Sequence, residues 1–287
     1  MRRETQAHAK INLSLEVLGK RTDGFHDLVS VMQTVSLCDD LTFAPAEEVT
    51  FTCSQPELTG PSNLVVRAAN LLRQVYGVSA GCAIHLEKHI PHAAGLGGGS
   101  SNAATTLRSL VKLWALTESE DTLCRLAAQL GSDVPFFLHR GTALVEGRGE
   151  RVTPLPDPPT CWYLLAKPPI QVPTAEIFAR LQRTAWSDGS RTHALASDLH
   201  GGGAVQFGPN SLQDALFSAY PLAQDCFERM SQVSDGRATV SGSGPTMVAW
   251  FPSQDEARRA ARRLEDNQLA LFVASSDASH GRKPSCA

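Results

Sequence analysis

No excess of basic residues marks this sequence: 26 Lys and Arg stand against 29 Asp and Glu, giving a formal charge of -3 and a pI near 6.3. Nucleic acid and anionic membrane surfaces are thereby excluded as main partners, because both are normally met with a clear basic footprint. Small neutral or anionic ligands stay open. Long apolar runs are missing too, and none approaches the ~18 residues that span a bilayer. The opening MRRETQAHAK has basic residues but no apolar segment behind them of the kind a secretory signal carries. The expectation is a soluble, cytoplasmic protein. Cysteine lacks pattern: Cys38, Cys53, Cys82, Cys124, Cys161, Cys226 and Cys286 are odd in number and scattered, without a CxxC pair. They read as reduced and mostly buried thiols. His85 and His89 have the spacing of a helical zinc pair, yet CAIHLEKHIP alternates like a strand, in which four residues span ~13 Å. No metal site is expected there, and no internal repeat is visible.

What the sequence does have is a change of texture near residue 154. With 287 residues, 42% of them hydrophobic, the chain is long enough to bury roughly three quarters of its unfolded surface, in about two domains. AHAKINLSLEV alternates strictly: Ala7, Ala9, Ile11, Leu13, Leu15 and Val17 on one face, His8, Lys10, Asn12, Ser14 and Glu16 on the other, a half-buried strand. GKRTDGFHD is turn-rich and leads into LVSVMQTVSL and then LTFAP, further β-like runs. Leu64, Ala68, Leu71, Leu72 and Val75 have helical spacing up to a stop at Gly77. After the glycines of 95–99, Ala103, Leu107, Leu110 and Trp114 form one helix face, with Ser100, Ser101 and Asn102 as cap candidates. Thr117 to Glu120 reads as a capping box for a helix ending at Gly131, and TALVEGRGERVTP as a hairpin. PLPDPPTCWYLLAKPPIQVPT is dense in proline and is read as the domain junction. Beyond it, RATVSGSGPTMVAWF is strand, turn, strand; Ser253 to Glu256 is a second capping box; LALFVA is a closing strand. Arg258, Arg259, Arg262 and Arg263 read as a solvated helix face, and HGGGAVQFG, 200–208, as a mobile loop.

Glycine is costly in ordered structure, so the run in IPHAAGLGGGSSNAA needs a reason. Strand, bare loop, hydroxyl residues and helix in that order suit an anion nest, in which consecutive backbone N–H groups turn inward and the helix N-terminus adds partial positive charge; a tight glycine turn feeding a capped helix is the alternative reading of the loop alone. The familiar phosphate loops do not fit. Counting from Gly95, position six is Ser100, so both GxxxxGK and GxGxxG fail.

PHAAGLGGGSSNAA, 91–104, resembles the PxxxGLGxS signature of the GHMP kinase superfamily, small-molecule kinases named for galactose, homoserine, mevalonate and phosphomevalonate. AKINLSLEVLGKRTDGFHDL, LGSDVPFFL and VEGRGE resemble the group within it that phosphorylates the 2-hydroxyl of the cytidine diphosphate ester of methylerythritol, in the non-mevalonate route to isoprenoids. The resemblance runs along the whole chain in family order. It implies an α+β, two-domain GHMP kinase fold: a ribosomal protein S5 domain 2-like N-terminal domain, residues 1–153, for ATP binding and catalysis, and a ferredoxin-like C-terminal domain, residues 154–287. It implies ATP and Mg2+ as cofactors and a small-molecule substrate; monomer or weak homodimer is the expected state.

Carried over by motif, Lys10 and Asp133 are the catalytic pair. On spacing alone Lys10 is a surface lysine and Asp133 a turn or helix-start residue. A carboxylate can take or orient the proton of an alcohol, and an ammonium keeps it ionised and offsets phosphoryl charge. Pro91, Ala93, Ala94, Gly95, Leu96, Gly97, Gly98, Gly99, Ser100 and Ser101 would cradle ATP, with Asn63 and Lys88 nearby; an exposed lysine is the simpler account of Lys88. For the substrate, Phe25 would stack on cytosine, His26 read its edge, Asn12 bond its hydroxyls, and Thr174 and Phe178 close over it. The family often has tyrosine at position 25, His92 is unusual in the loop, and GPNSLQDA is a loose version of its segment. SGSGPT, 241–246, corresponds to the third superfamily motif and should fold beside the glycine loop. Another GHMP kinase, of homoserine or mevalonate type, and a catalytically silent ligand-binding regulator are the alternatives.

Overall fold

Alternation in the first strand is observed, but both of its faces are buried. A computed structural model describes residues 2–264 and 268–276. In chain order the elements are β1 (Arg3–Lys20), β2 (His26–Ala46), β3 (Val49–Cys53), α1 (Leu64–Tyr76), β4 (Gly81–Glu87), α2 (Gly98–Leu113), α3 (Glu120–Leu130), α4 (Val134–His139), β5 (Thr142–Gly147) and β6 (Arg151–Leu155). They continue with β7 (Trp162–Lys167), α5 (Thr174–Arg180), α6 (Ser190–His200), α7 (Gln213–Ala219), α8 (Pro221–Val233), β8 (Ala238–Val240), β9 (Met247–Phe251), α9 (Gln254–Leu264) and β10 (Ala270–Ser275). The mixture is α+β. Two compact units divide the chain: one holds the residues up to Ala9, Cys38–His92 and Gly97–His139, the other Lys10–Leu37, Ala93–Leu96 and the described residues from Arg140 onward. Residue 154 lies inside the second.

In the first unit, the later half of β2 pairs antiparallel with β4, Asp40 opposite Glu87 through Ala46 opposite Gly81, and β3 lies parallel on the far side of β4. Helix α1 packs on α2, and α2 on α3 and α4, because each brings an apolar stripe: Val65, Ala68, Ala69 and Leu72 from α1, Ala103, Leu107 and Leu110 from α2, Leu123, Leu126 and Ala127 from α3. The stop at Gly77 is left-handed, φ 61°. Helix α3 starts two residues later than the Thr117 box predicted. Its cap is Ser119, whose hydroxyl accepts from the Thr122 amide, so the nearer hydroxyl wins.

In the second unit the early half of β2 pairs antiparallel with β5, Leu28 opposite Gly147 to Gln33 opposite Thr142, and β5 with β6. A second, antiparallel sheet has the order β10-β7-β9-β8. Numbered by their own sequence these strands run 4-1-3-2, the ferredoxin-like arrangement. Helices α8 and α9 cover it, burying Ala223, Cys226 and Met230 of one and Ala257, Ala260 and Leu264 of the other against Leu164, Ala166, Met247, Ala249 and Phe251. The Ser253 capping box forms as expected, with the Glu256 amide donating to the serine hydroxyl at 3.3 Å. The proline-dense stretch therefore holds more than a junction: WYLLAK within it is strand β7, central in its sheet.

Two further expectations are corrected. LVSVMQTVSL and LTFAP are one strand, β2, because Asp39 between them is buried and fully bonded. Part of 200–208 is tied down: Val205 is buried, and the Gly208 amide donates to Leu13 O at 2.8 Å. Gly208 has no room for a side chain there, since a Cβ would lie 2.8 Å from Ser14 Cβ. Residues 258, 259, 262 and 263 are exposed arginines, as expected of a solvated face.

Candidate active site

The glycine loop earns its composition from its contacts. Ala93, Gly95 and Gly97 have φ of 50°, 75° and 69°, a left-handed conformation that penalises side chains. A Cβ on Gly95 would sit 2.3 Å from Ser241 O and 2.9 Å from Gly244 O, so SGSGPT does lie against the loop. The Ser241 hydroxyl donates to Gly95 O at 3.1 Å, and the Lys10 amide donates to Leu96 O at 3.0 Å. Residues 93–96 are thus pinned within the second unit, with Ala94 and Leu96 buried.

Helix α2 then starts earlier than its cap candidates predicted. Gly97 is the cap residue, and no side chain caps the helix. Ser100, Ser101 and Asn102 lie inside it, because a left-handed glycine already turns the chain into helical geometry at position 98. The first-turn N–H groups consequently have no capping side chain, the condition for anion binding. Ser101 and Asn102 are buried while Gly99 is exposed; Pro91 and Ser100 are half-buried.

In the same unit Lys88 is not an exposed lysine. Its side chain is 4% accessible and its ammonium bonds Asp39 Oδ2 at 2.5 Å. A Cβ on Gly98 would fall 3.2 Å from Lys88 Nζ, which places that ammonium at the root of α2. Asn63 caps α1: its Oδ1 accepts from the Val65 amide at 2.9 Å and its Nδ2 donates to Leu58 O at 2.8 Å. Asp133 is half-buried between the Gly131 end of α3 and the start of α4, and α4 packs on α2 and α3.

The second unit holds the other predicted residues. Lys10 is buried, 4% exposed, and its Nζ donates to Asn12 Oδ1 at 2.7 Å. Asn12 Nδ2 donates to Ser30 Oγ at 2.8 Å, and Ser30 Oγ to Ser14 O. The polar face of β1 is therefore internal, contrary to the half-buried expectation. Glu16 follows the same rule, accepting from the Thr192 amide in the first turn of α6 at 2.7 Å. Gly242 of SGSGPT crosses this chain so closely that a Cβ would lie 3.3 Å from Asn12 Oδ1 and 3.4 Å from Lys10 Nζ.

Phe25 is 48% exposed, with the Arg148 guanidinium 5.1 Å from its ring centre. His26 packs on Phe178, ring centres 5.2 Å apart, and burial, followed by the charge of Lys20, holds the imidazole below its ordinary range. Thr174 Oγ1 bonds Ser243 Oγ at 3.0 Å. The structure thus joins His26 to Phe178, Thr174 to SGSGPT, and Lys10 to Asn12. Sequence reading missed Asp39, Ser30 and Arg148, whose roles rest on partners 16 to 123 positions away in the chain.

Comparison with known proteins fits this picture. Residues 63–141 match the family described as GHMP kinases N terminal domain, and residues 188–270 GHMP kinases C terminal. The chain is 43% identical over 270 residues to a 4-diphosphocytidyl-2-C-methyl-D-erythritol kinase of Geobacillus kaustophilus, covering 92% of this chain and 93% of that protein. It is 38% identical to the protein of the same name from Enterococcus faecalis, over 91% and 94%. A crystal structure of 4-(cytidine 5'-diphospho)-2C-methyl-D-erythritol kinase superposes with TM-score 0.82 at 34% identity, covering 95% and 98%. Homoserine kinase from Cytophaga hutchinsonii shares the fold, TM-score 0.73 at 18% identity, over 96% and 94%. With its glycine loop, its SGSGPT turn and likeness along nearly its whole length, the chain belongs to the 4-diphosphocytidyl-2-C-methyl-D-erythritol kinases of the GHMP kinase family.

Proposed function

We propose that the protein transfers the γ-phosphoryl group of ATP to the 2-hydroxyl of 4-diphosphocytidyl-2-C-methyl-D-erythritol. The observation that carries the reading is the uncapped N-terminus of α2 behind a left-handed glycine loop, in a chain 43% identical to a kinase of that name. The triphosphate lies along residues 91–101, its oxygens taken by backbone N–H groups. Asp133 accepts or orients the proton of the attacking hydroxyl, and Lys10 balances charge on the transferring group. Asn12 holds Lys10 through Oδ1 and Ser30 through one Nδ2–H, and its second Nδ2–H is the group that would bond the substrate's hydroxyls. Phe25, His26, Thr174 and Phe178 take the cytidine end, and Asn63 and Lys88 lie toward the nucleotide.

Mg2+ enters with ATP. Among the described residues no three His, Cys, Asp or Glu side chains gather into a metal cage, which suits an ion held chiefly by phosphate oxygens and water. Ser100 and Asp133 would offer hard oxygen atoms to such an ion, which would neutralise phosphate charge. By function the chain divides at 153/154, the matched family segments falling on either side. Among the described residues no helix is long and apolar enough to cross a membrane; a cytoplasmic location, a monomer or weak homodimer, and no nucleic-acid partner complete the proposal.

Incubation with ATP and the cytidyl ester, reading product mass, tests the reaction; phosphorylation of homoserine or mevalonate instead would replace the substrate, and no transfer to any of them would leave a silent regulator. Asp133→Asn should lose at least ~100-fold in turnover with substrate binding largely kept. Near-normal steady-state turnover would remove its assignment.

A further inference from the structure

We propose that Asp39 is a positioning residue that clamps the two flanks of the glycine loop to each other. Its carboxylate is fully buried, 0% exposed, and takes four donors. Oδ1 accepts from the amides of His89 and Ile90, each at 2.8 Å. Oδ2 accepts from Lys88 Nζ at 2.5 Å and from Asn102 Nδ2 at 2.8 Å. Three of these donors lie just before the loop and the fourth lies just after it, in the second turn of α2.

A buried carboxylate is costly unless its lone pairs are met, and here each oxygen has two partners. The chain thus spends a buried charge on the base of one loop. The physical return is preorganisation. A bare glycine loop has many conformations to lose when it wraps an anion, and fixing its ends lowers that loss before the ligand arrives. The clamp also sets the contact of Lys88 and Ile90 with Gly98, where a Cβ would be 3.2 Å from Lys88 Nζ and 3.0 Å from Ile90 Cγ2. The first residue of α2 is therefore seated on side chains and backbone that Asp39 holds. Asp39 touches none of the reacting groups itself; it acts through the loop.

The consequence for nucleotide use rests on the kinase reading above, whereas the clamp does not, so two readouts separate them. Asp39→Asn keeps an oxygen for the two backbone amides but turns an NH2 group toward Lys88 and Asn102, both donors. Leu72→Ala, a cavity in the α1 stripe of the same unit, serves as the control for general destabilisation. Hydrogen exchange of the Gly97–Ser101 amides, without nucleotide, should speed up about tenfold or more in Asp39→Asn and much less in Leu72→Ala at matched loss of melting temperature. In steady-state assays Asp39→Asn should raise KM for ATP by about tenfold or more while KM for the alcohol substrate and kcat at saturating ATP change by less than ~3-fold. Unchanged loop exchange in Asp39→Asn, or an equal rise in Leu72→Ala, would overturn the clamp. Faster exchange with an unaltered KM for ATP would overturn its role in nucleotide binding, and a wild-type protein that transfers nothing from ATP would remove the kinase reading instead.

Discussion

Burial alters the chemistry of several thiols and of one imidazole. Burial pushes Cys38 and Cys226 up to about 12 and Cys82 to about 11, so the reactive thiolate is scarce at neutral pH. All six described cysteines are free, four of them buried. In the native protein these three thiols should resist Ellman's reagent at pH 8 and react at once in denaturant; site-resolved mass spectrometry checks this. The sign for stability follows: unfolded thiols ionise near 9, the folded ones only higher, so their contribution is complete below pH 9 and declines as pH rises toward 12. His26 runs the other way. Its folded value is lowered, so its contribution stands above pH 6.5 and is lost as pH falls below that. NMR titration should find its midpoint below that of a free imidazole. His26→Ala should weaken cytidyl ester binding far more than ATP binding, and equal losses by calorimetry would count against a base-reading role.

At the scale of elements, the loop and α2 make the sharpest contrast. Gly95→Ala forces a Cβ to 2.3 Å from a carbonyl oxygen at φ 75°, where left-handed geometry alone costs an L-residue roughly 1–2 kcal/mol. Gly99 is helical and its nearest neighbour would be Leu64 Cδ1 at 3.8 Å; alanine there removes a helix penalty of about 1 kcal/mol. Thermal melts should therefore show Gly95→Ala strongly destabilised and Gly99→Ala neutral or slightly stabilised. Why one was legible and the other not is plain. Helices α1, α3 and α9 announce themselves through their apolar stripes, and α9 through its Ser253 cap as well, because those signals are local. The start of α2 does not, since serine and asparagine, here at 100–102, are the usual signal and the true cap is a glycine chosen for φ. The wet face assigned to β1 failed likewise: alternation reports which residues share a face, and only partners such as Ser30, Gly208, Thr192 and Gly242 decide whether that face meets water.

For the molecule as a whole, strands β1 and β2 each contribute to both compact units, and residue 154 lies inside the second of them. The cluster around the second sheet includes Leu15 and Val17, and the buried hydroxyl of Tyr163 donates to Gln33 Oε1. Residues 154–287 expressed alone should consequently lack a cooperative unfolding transition by calorimetry, while the full chain shows one. ATP should raise the stability of the full chain by mass action, about 2.7 kcal/mol at one hundred times its Kd, and not change that of the fragment.

By itself the sequence determined the element types with strong periodicity and, through its motifs, the family; the anion-binding role of the glycine loop and the roles of Lys10, His26 and Asp133 are proposals carried from those motifs. Those signals are short-range, written within a turn of helix or a few strand positions. Only the tertiary structure decided that Lys10 and Asn12 are internal, that Lys88 is paired and Asn63 spent on a cap, and that one buried carboxylate at Asp39 ties the loop's flanks. Such roles come from contacts between residues distant in sequence, whose burial removes the water that spacing alone would assume.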